Sequence, residues 1–375
     1  MKTGYSGQDP VAEPGNYHRR MDGARKTLRL KVHPSGPAQE ASQRAIQQAA
    51  DILKNGGTVA FPTETVYGLG ANALDAEAVK KIFAAKERPA WDPLIVHIAD
   101  TSMLTTVASG VKEAAQRLME VFWPGPLTLL LPRAEQLPPA VTAGLMRVGV
   151  RMPAHPVAQA LLQAAQVPVA APSANRFGRT SATSAEHVAE DLDGRIDAIL
   201  DGGETTHGVE STVVDVRESS CVVYRPGVIS LEQLRAVCRC PVWIREGRTA
   251  KETTEAAAAP GMGLRHYAPR ARLLLVEGEG EAQKAEFGAV ARRCEEAGER
   301  VGAMLPDVFQ TAAIGRQARV FRWGRWDDGE ELAQRLYAGL RWLDAAGVTV
   351  IVCPLPAEGG LGTALRDRLL KAARR

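Results

Sequence analysis

The chain has little from which to build the more familiar kinds of functional site. Its 375 residues hold five cysteines (Cys221, Cys238, Cys240, Cys294 and Cys353), an odd, scattered set without Cys-x-x-Cys spacing. Cys238 and Cys240 could meet a metal, but no histidine lies near them in sequence. Free thiols in a reducing compartment are expected, and no metal site is assigned. Aromatic residues are only 5% of the chain and do not interleave with basic ones, which argues against a base-stacking platform. The formal charge of +3 is too small to imply a nucleic-acid partner. The basic cluster Arg19, Arg20, Arg25, Lys26, Arg29 and Lys31 reads as part of a solvated tail. No apolar run approaches bilayer length and no signal-peptide core is present, so the expectation is a cytoplasmic protein without a membrane partner. Gly-x-x-x-x-Gly-Lys-Ser/Thr, Gly-x-Gly-x-x-Gly, His-Glu-x-x-His and Gly-x-Ser-x-Gly are all absent. The usual nucleotide-loop, zinc-protease and hydrolase readings lose their support.

What is present is an ordinary soluble composition, 45% hydrophobic and 24% charged, in a chain long for a single core. Two domains are expected. Residues 1–25 are polar and aperiodic and read as a disordered tail. Leu28, Leu30 and Val32 alternate as a first strand. Ala41 to Lys54 has helical spacing and stops at Asn55-Gly56-Gly57, a helix terminator. Apolar runs at 58–61, 94–98, 127–131, 148–152, 167–171, 198–200, 211–216 and 221–225 read as strands. With helical patterns between several of them, residues 26–240 are predicted to form an α/β domain with a twisted mixed sheet. Residues 241–269, with a helix-breaking Pro260-Gly261-Met262-Gly263, read as an interdomain linker. In residues 270–375, strands at 273–276, 300–305, 318–323 and 348–354 alternate with helices at 282–297, 330–345 and from about 363. That pattern suggests a smaller, doubly wound, Rossmann-like domain, and nothing in it resembles a catalytic cluster.

Polar clusters beside the strands of the first domain supply the candidate site. Phe61-Pro62-Thr63-Glu64-Thr65-Val66-Tyr67-Gly68-Leu69-Gly70 crowds two hydroxyls and a carboxylate into one turn. Helix capping by Thr63 or Thr65 is the competing reading. Lys86-Glu87-Arg88-Pro89, followed by Asp92 and His97, offers two cations that can converge on one anion at a helix end, or simply face solvent. Arg151 ends an apolar strand, an awkward place for a charge unless it meets a carboxylate or phosphate. Ala171-Pro172-Ser173-Ala174-Asn175 also ends a strand, with short polar groups suited to ligand oxygens or to a turn. Glu210-Ser211-Thr212 and Arg225-Pro226-Gly227 complete the set.

In order and spacing, Thr63-Glu64-Thr65-Val66-Tyr67-Gly68-Leu69, Lys86-x-Arg88, Ser173-x-Asn175, Glu210-Ser211-Thr212 and Arg225-Pro226-Gly227 resemble the signature of the Sua5/YrdC family of threonylcarbamoyl-adenylate synthases. The resemblance runs from about Thr27 to Ile229. The segments 260–269 and 360–370 resemble parts of the longer, Sua5-type members, which carry a C-terminal domain. The resemblance implies a YrdC-like fold and an ATP-dependent nucleotidyltransferase. L-threonine and bicarbonate would give N-carboxy-threonine, whose carboxylate attacks the α-phosphate of ATP and expels pyrophosphate. The product would serve tRNA t6A37 modification through a downstream tRNA threonylcarbamoyl transferase, with a weak tRNA contact left open.

Such chemistry asks for positioning and positive charge and does not need an enzyme nucleophile. Carried onto this chain, the resemblance makes Lys86 and Arg88 catalytic and puts Thr65, His97, Arg151, Ala171 and Ser211 around L-threonine. ATP would be held by Arg88, Asp92, Ser173, Asn175, Ser181, Arg225 and His266, with the 260–269 segment closing as a lid. Mg2+ would ride on the ATP phosphates, without a protein cage. Asp92 stands where the family often has Asn and Arg147 where a small hydroxyl residue is common, which leaves their nucleotide contacts open. Two rival readings remain. A double-stranded RNA or tRNA-binding module without catalysis is weakened by the few aromatics. A carbamoyl-transfer relative is weakened by the missing cysteine pairs and acylphosphatase segments.

Overall fold

The computed structural model describes residues 26–33, 39–245, 266–310 and 314–374. The expected N-terminal tail and residues 246–265 of the expected linker lie outside that set. The first strands in chain order are β1 (Leu28–Lys31), β2 (Val59–Phe61), β3 (Gly68–Asn72), β4 (Ile95–His97), β5 (Leu127–Pro132) and β6 (Arg147–Arg151). They are followed by β7 (Val169–Ala170), β8 (Ala198–Asp201), β9 (Thr212–Val216), β10 (Cys221–Arg225) and β11 (Val242–Ile244). These join one mixed sheet in the order β1-β8-β2-β3-β7-β4-β6-β5-β9-β10-β11.

Side-chain alternation divides the strands between two apolar layers. Ala60, Ala170 and Ile199 point into the layer of helices Ala76–Lys86, Glu113–Phe122, Ala185–Leu192 and Leu231–Val237. Val59, Phe61, Val169, Ala198 and Leu200 point into that of helices Glu40–Lys54 and Pro156–Ala165. Being buried on both faces, these strands read as continuous apolar runs.

Two strands go beyond the sequence expectation. β3 reads as a turn because of its glycines, yet only glycine fits there. A Cβ on Gly70 would stand 2.8 Å from the Phe61 ring and 2.7 Å from Val169. β11 falls inside the stretch 241–269 and pairs in parallel with β10.

The second sheet contains β12 (Arg272–Val276), β13 (Val301–Pro306), β14 (Arg319–Gly324) and β15 (Val350–Pro354). Its order is β12-β15-β13-β14 and every pairing is parallel, as a doubly wound unit requires. Val350 and Val352 face helix Gly280–Glu296, while Ile351 and Cys353 face helices Gly329–Ala345 and Gly360–Ala373. That second layer also takes in Val66 and Val209 from loops of the first sheet. The small domain is therefore docked directly onto the loops that carry the candidate site. No helix among the described residues is long and apolar enough to cross a membrane.

Candidate active site

β4 and β6 run side by side in parallel, with His97 in register with Arg151. β7 flanks them, and the amide of Ala171 donates to the carbonyl of Ile95 at 2.8 Å. Residues ending these strands on one face therefore open into a common cleft. Of the expected residues, Thr65, Arg88, His97, Arg151, Ala171, Ser173, Ser211, Arg225 and His266 line it. Lys86, Asp92, Asn175 and Ser181 stand behind its walls.

On one side the turn after β2 is held by its own hydroxyls. Thr63 Oγ1 donates to the Val66 carbonyl at 2.7 Å and lies 2.9 Å from Thr65 Oγ1. This is the capping-like geometry of the competing reading, but it orients Thr65 into the cleft. Arg151 donates to Thr65 Oγ1 at 2.8 Å and to Glu64 Oε1 at 2.6 Å. The charge that ends a buried strand thus meets a buried carboxylate. Burial pushes the Glu64 carboxyl up, but the charge and hydrogen bond of Arg151 outweigh it and hold it below its ordinary value. Burial, aided by Arg151, lowers the His97 imidazole to about 3, so the ring is neutral at physiological pH.

The opposite side is built around arginines. Arg88 pairs with Asp92 at 3.0 Å and donates to the carbonyls of Asp92 at 3.1 Å and Pro93 at 2.8 Å. Asp92, the residue that would repel a nucleotide, is neutralised from within. Lys86 is buried and donates to the carbonyls of Ser173 and Asn175. It braces the loop after β7 and does not reach the cleft. Asn175 does similar work, its Nδ2 donating to the carbonyls of Arg176 at 2.8 Å and Arg179 at 2.9 Å. Arg225 donates to the Ser211 carbonyl at 3.0 and 3.1 Å and to Ser211 Oγ at 3.1 Å. Thr128 Oγ1 completes that patch, 2.8 Å from Ser211 Oγ. Arg147 lies outside the cleft, paired with Asp215 at 2.5 Å.

His266 is buried, and among the described residues neither of its ring nitrogens has a hydrogen-bond partner. The same holds for the buried hydroxyl of Tyr267 beside it, which also lines the cleft. Burial, followed by the charges of Arg88, Lys371, Lys86 and Arg225, keeps the His266 imidazole neutral. Unsatisfied buried polar atoms among arginines are what a polar, anionic ligand would complete. Residues 260–265 of the expected lid lie outside the described set.

Glu210 stood among the candidate clusters, but its partners in the small domain, Arg368 and Tyr337, were missed from sequence. Glu210 lines the cleft and accepts from Ser181 Oγ at 2.5 Å, Arg368 Nε at 2.7 Å and Tyr337 OH at 3.1 Å. Arg368 and Tyr337 belong to the small domain. Arg341, from the same domain, pairs with Asp191 at 2.7 Å and donates to the carbonyls of Thr180 and Ser181. The signal for Arg368 was its place in Thr363-Ala364-Leu365-Arg366-Asp367-Arg368-Leu369, a basic helix whose inward face includes a charge.

Comparison with known proteins agrees with this architecture. Residues 51–227 match a family profile described as telomere recombination, of Sua5, YciO and YrdC proteins. Residues 229–374 match the threonylcarbamoyl-AMP synthase C-terminal domain. Over 328 residues the chain is 46% identical to the threonylcarbamoyl-AMP synthase of Pyrococcus abyssi, covering 88% of this chain and 94% of that protein. The corresponding protein of Bacillus subtilis is 45% identical, covering 88% and 92%. A crystal structure of P. abyssi Sua5 complexed with L-threonine superposes with a TM-score of 0.85 at 44% identity, covering 92% of this chain and 98% of that one. With both its sheets matched and nearly the whole length of these relatives covered, the chain belongs to the Sua5 family of threonylcarbamoyl-AMP synthases.

Proposed function

We propose that this chain forms threonylcarbamoyl-AMP and pyrophosphate from L-threonine, bicarbonate and ATP. The observation that carries the reading is the division of one cleft into two polar sides. Thr65, His97 and Arg151 form one, and Arg88, Arg225 and His266 the other. The first is suited to a small amino acid, with Arg151 offering its fork to the carboxylate once it shares itself with Glu64. Neutral His97 adds no second charge there, and Ala171 leaves room for the side chain. The second is suited to the triphosphate, with Arg88 and Arg225 as cations and Ser173 and Ser211 as short polar groups. Lys86, Asn175 and Ser181 act by positioning the loops that present these groups.

The amine of threonine bonds to the carbon of bicarbonate, which loses water, to give an N-carboxylate, whose oxygen attacks the α-phosphorus as the bond to pyrophosphate breaks. The chain's part is to align these groups and to place positive charge where the leaving pyrophosphate gains negative charge. Glu210 in the cleft, and Glu64 and Asp92 behind the wall, are each engaged by an arginine. They fit a Mg2+ that arrives on the phosphates better than one caged by protein, and such an ion would neutralise phosphate charge. The unstable product would pass to a tRNA threonylcarbamoyl transferase in the same compartment, which we take to be the cytoplasm.

The test is pyrophosphate release measured with each substrate omitted in turn. Release should require L-threonine and bicarbonate together. Equal release with L-serine, or without bicarbonate, would reject the assignment of the threonine side. Tight RNA binding without any release would favour the binding-module reading instead.

A further inference from the structure

Three of the five cysteines meet at one corner of the larger sheet, far along the chain from the cleft residues on β4 and β6. Cys221 begins β10, Cys238 caps the C-terminus of helix Leu231–Val237, and Cys240 stands two residues before β11. The backbone closes the corner, since the Cys221 amide donates to the Pro241 carbonyl at 2.9 Å. Cys221 Sγ lies 3.4 Å from that of Cys238 and 3.7 Å from that of Cys240, and all three sulfurs fall within 4.8 Å of one another.

We propose that Cys221, Cys238 and Cys240 form a three-thiolate site for a soft d10 cation of the Zn2+ class. Zinc–sulfur bonds of about 2.3 Å in a tetrahedron set the sulfurs about 3.8 Å apart. The 3.4 and 3.7 Å separations from Cys221 match that edge, and Cys238 and Cys240, within 4.8 Å of each other, close onto one ion by side-chain adjustment. Thiolate donors without a carboxylate select soft ions over Mg2+ or Ca2+. Cys221 is fully buried while Cys238 and Cys240 are half-buried, which leaves an entry path and a fourth position open to solvent. Three thiolates and a dication carry one net negative charge, and Arg117 lies close enough to Cys238 to act on it electrostatically. Cys238 and Cys240 alone could not make the site. The third donor comes from a strand that the fold brings beside them.

Such a site clips β11 and the preceding turn to the start of β10, whose far end carries Arg225 into the cleft. Its role is to fix an edge of the sheet. Metal binding to the folded state then raises the melting temperature.

The experiment strips the full-length reduced chain with a chelator, loads it with Zn2+ and dialyses it. Elemental analysis should find one zinc per chain, and Co2+ in its place should give a thiolate-to-cobalt charge-transfer band. Cys240→Ser should lose the bound zinc, the band and the zinc-dependent rise in melting temperature, while Cys294→Ser keeps all three. Zinc uptake well below one per chain, or uptake undiminished in Cys240→Ser, overturns the proposal. Alkylation of the wild type followed by mass spectrometry gives an answer even if that variant fails to fold. Zinc should protect Cys238 and Cys240, and unchanged labelling of both overturns the site.

Discussion

Arg88 shows how burial changes the consequence of a substitution. Read from sequence it is a loop arginine whose removal would leave the fold intact. In the structure its guanidinium and the Asp92 carboxylate are buried together. Arg88→Ala should cost about 3–5 kcal/mol of stability, because it strands a buried charge. Arg88→Ala with Asp92→Asn should recover most of that stability. Turnover in the double variant should still be at least about tenfold below wild type, from the loss of a charge-assisted bond. Chemical denaturation and pyrophosphate release, run on both variants, separate the two effects. Wild-type turnover in the double variant would remove Arg88 from phosphate binding.

His97 predicts a pH dependence. Its folded value of about 3 lies below the ordinary 6.5, so the unfolded chain binds a proton that the native ring refuses. Stability is unaffected by this group above pH 6.5 and falls as the pH drops from 6.5 toward 3. His187, lowered to about 4 by burial, acts in the same direction. Replacing His97 by Gln should flatten part of the acid limb in a plot of melting temperature against pH. An unchanged slope between pH 6.5 and 4 would show that the ring is not held neutral.

Among the structural elements, the strand ends decide the site. Thr65 leaves the turn between β2 and β3, His97 ends β4, Arg151 ends β6 and Arg225 ends β10, so a one-residue slip would turn any of the strand-end residues to the other face. The loop Arg225-Pro226-Gly227 crosses the backbone of Glu210–Thr212 so closely that a Cβ on Gly227 would stand 2.4 Å from the Glu210 carbonyl oxygen. Gly227→Ala must therefore displace either Arg225 or Ser211. We expect about 1–3 kcal/mol of destabilisation and a rise in KM for ATP larger than the fall in kcat. Thermal melts and steady-state kinetics check this, and an unperturbed KM would show that the crossing does not shape the nucleotide side.

For the whole molecule, the small domain backs the wall of the cleft from behind. Arg368 and Tyr337 reach Glu210, and Arg341 holds the carbonyls of Thr180 and Ser181. Arg368→Ala should leave Glu210 buried without its nearest cation and cost about 3–5 kcal/mol. Combining it with Glu210→Gln should recover part of the loss, giving a coupling energy of about 0.5–3 kcal/mol in a double-mutant cycle. Additive losses would mean that the two domains merely touch. The same variants should raise KM for ATP although no mutated atom of Arg368 lines the cleft.

The strands other than β3 and β11, the doubly wound character of residues 270–375 and most cleft residues were legible from apolar periodicity and from polar groups set at strand ends. Those signals are local, and each depends on a side-chain pattern within a few residues. Tertiary structure decided matters of distance. Gly70 looks like a turn until Phe61 lies over it. Lys86 and Asn175 look like phosphate ligands until their hydrogen bonds go to carbonyls behind the wall. Cys221 has no local reason to join Cys238 and Cys240, and Arg368 stands 158 residues from the Glu210 it neutralises. A buried charge must find a partner, but its own sequence neighbourhood does not say which. Only the packing of the two sheets supplies that answer.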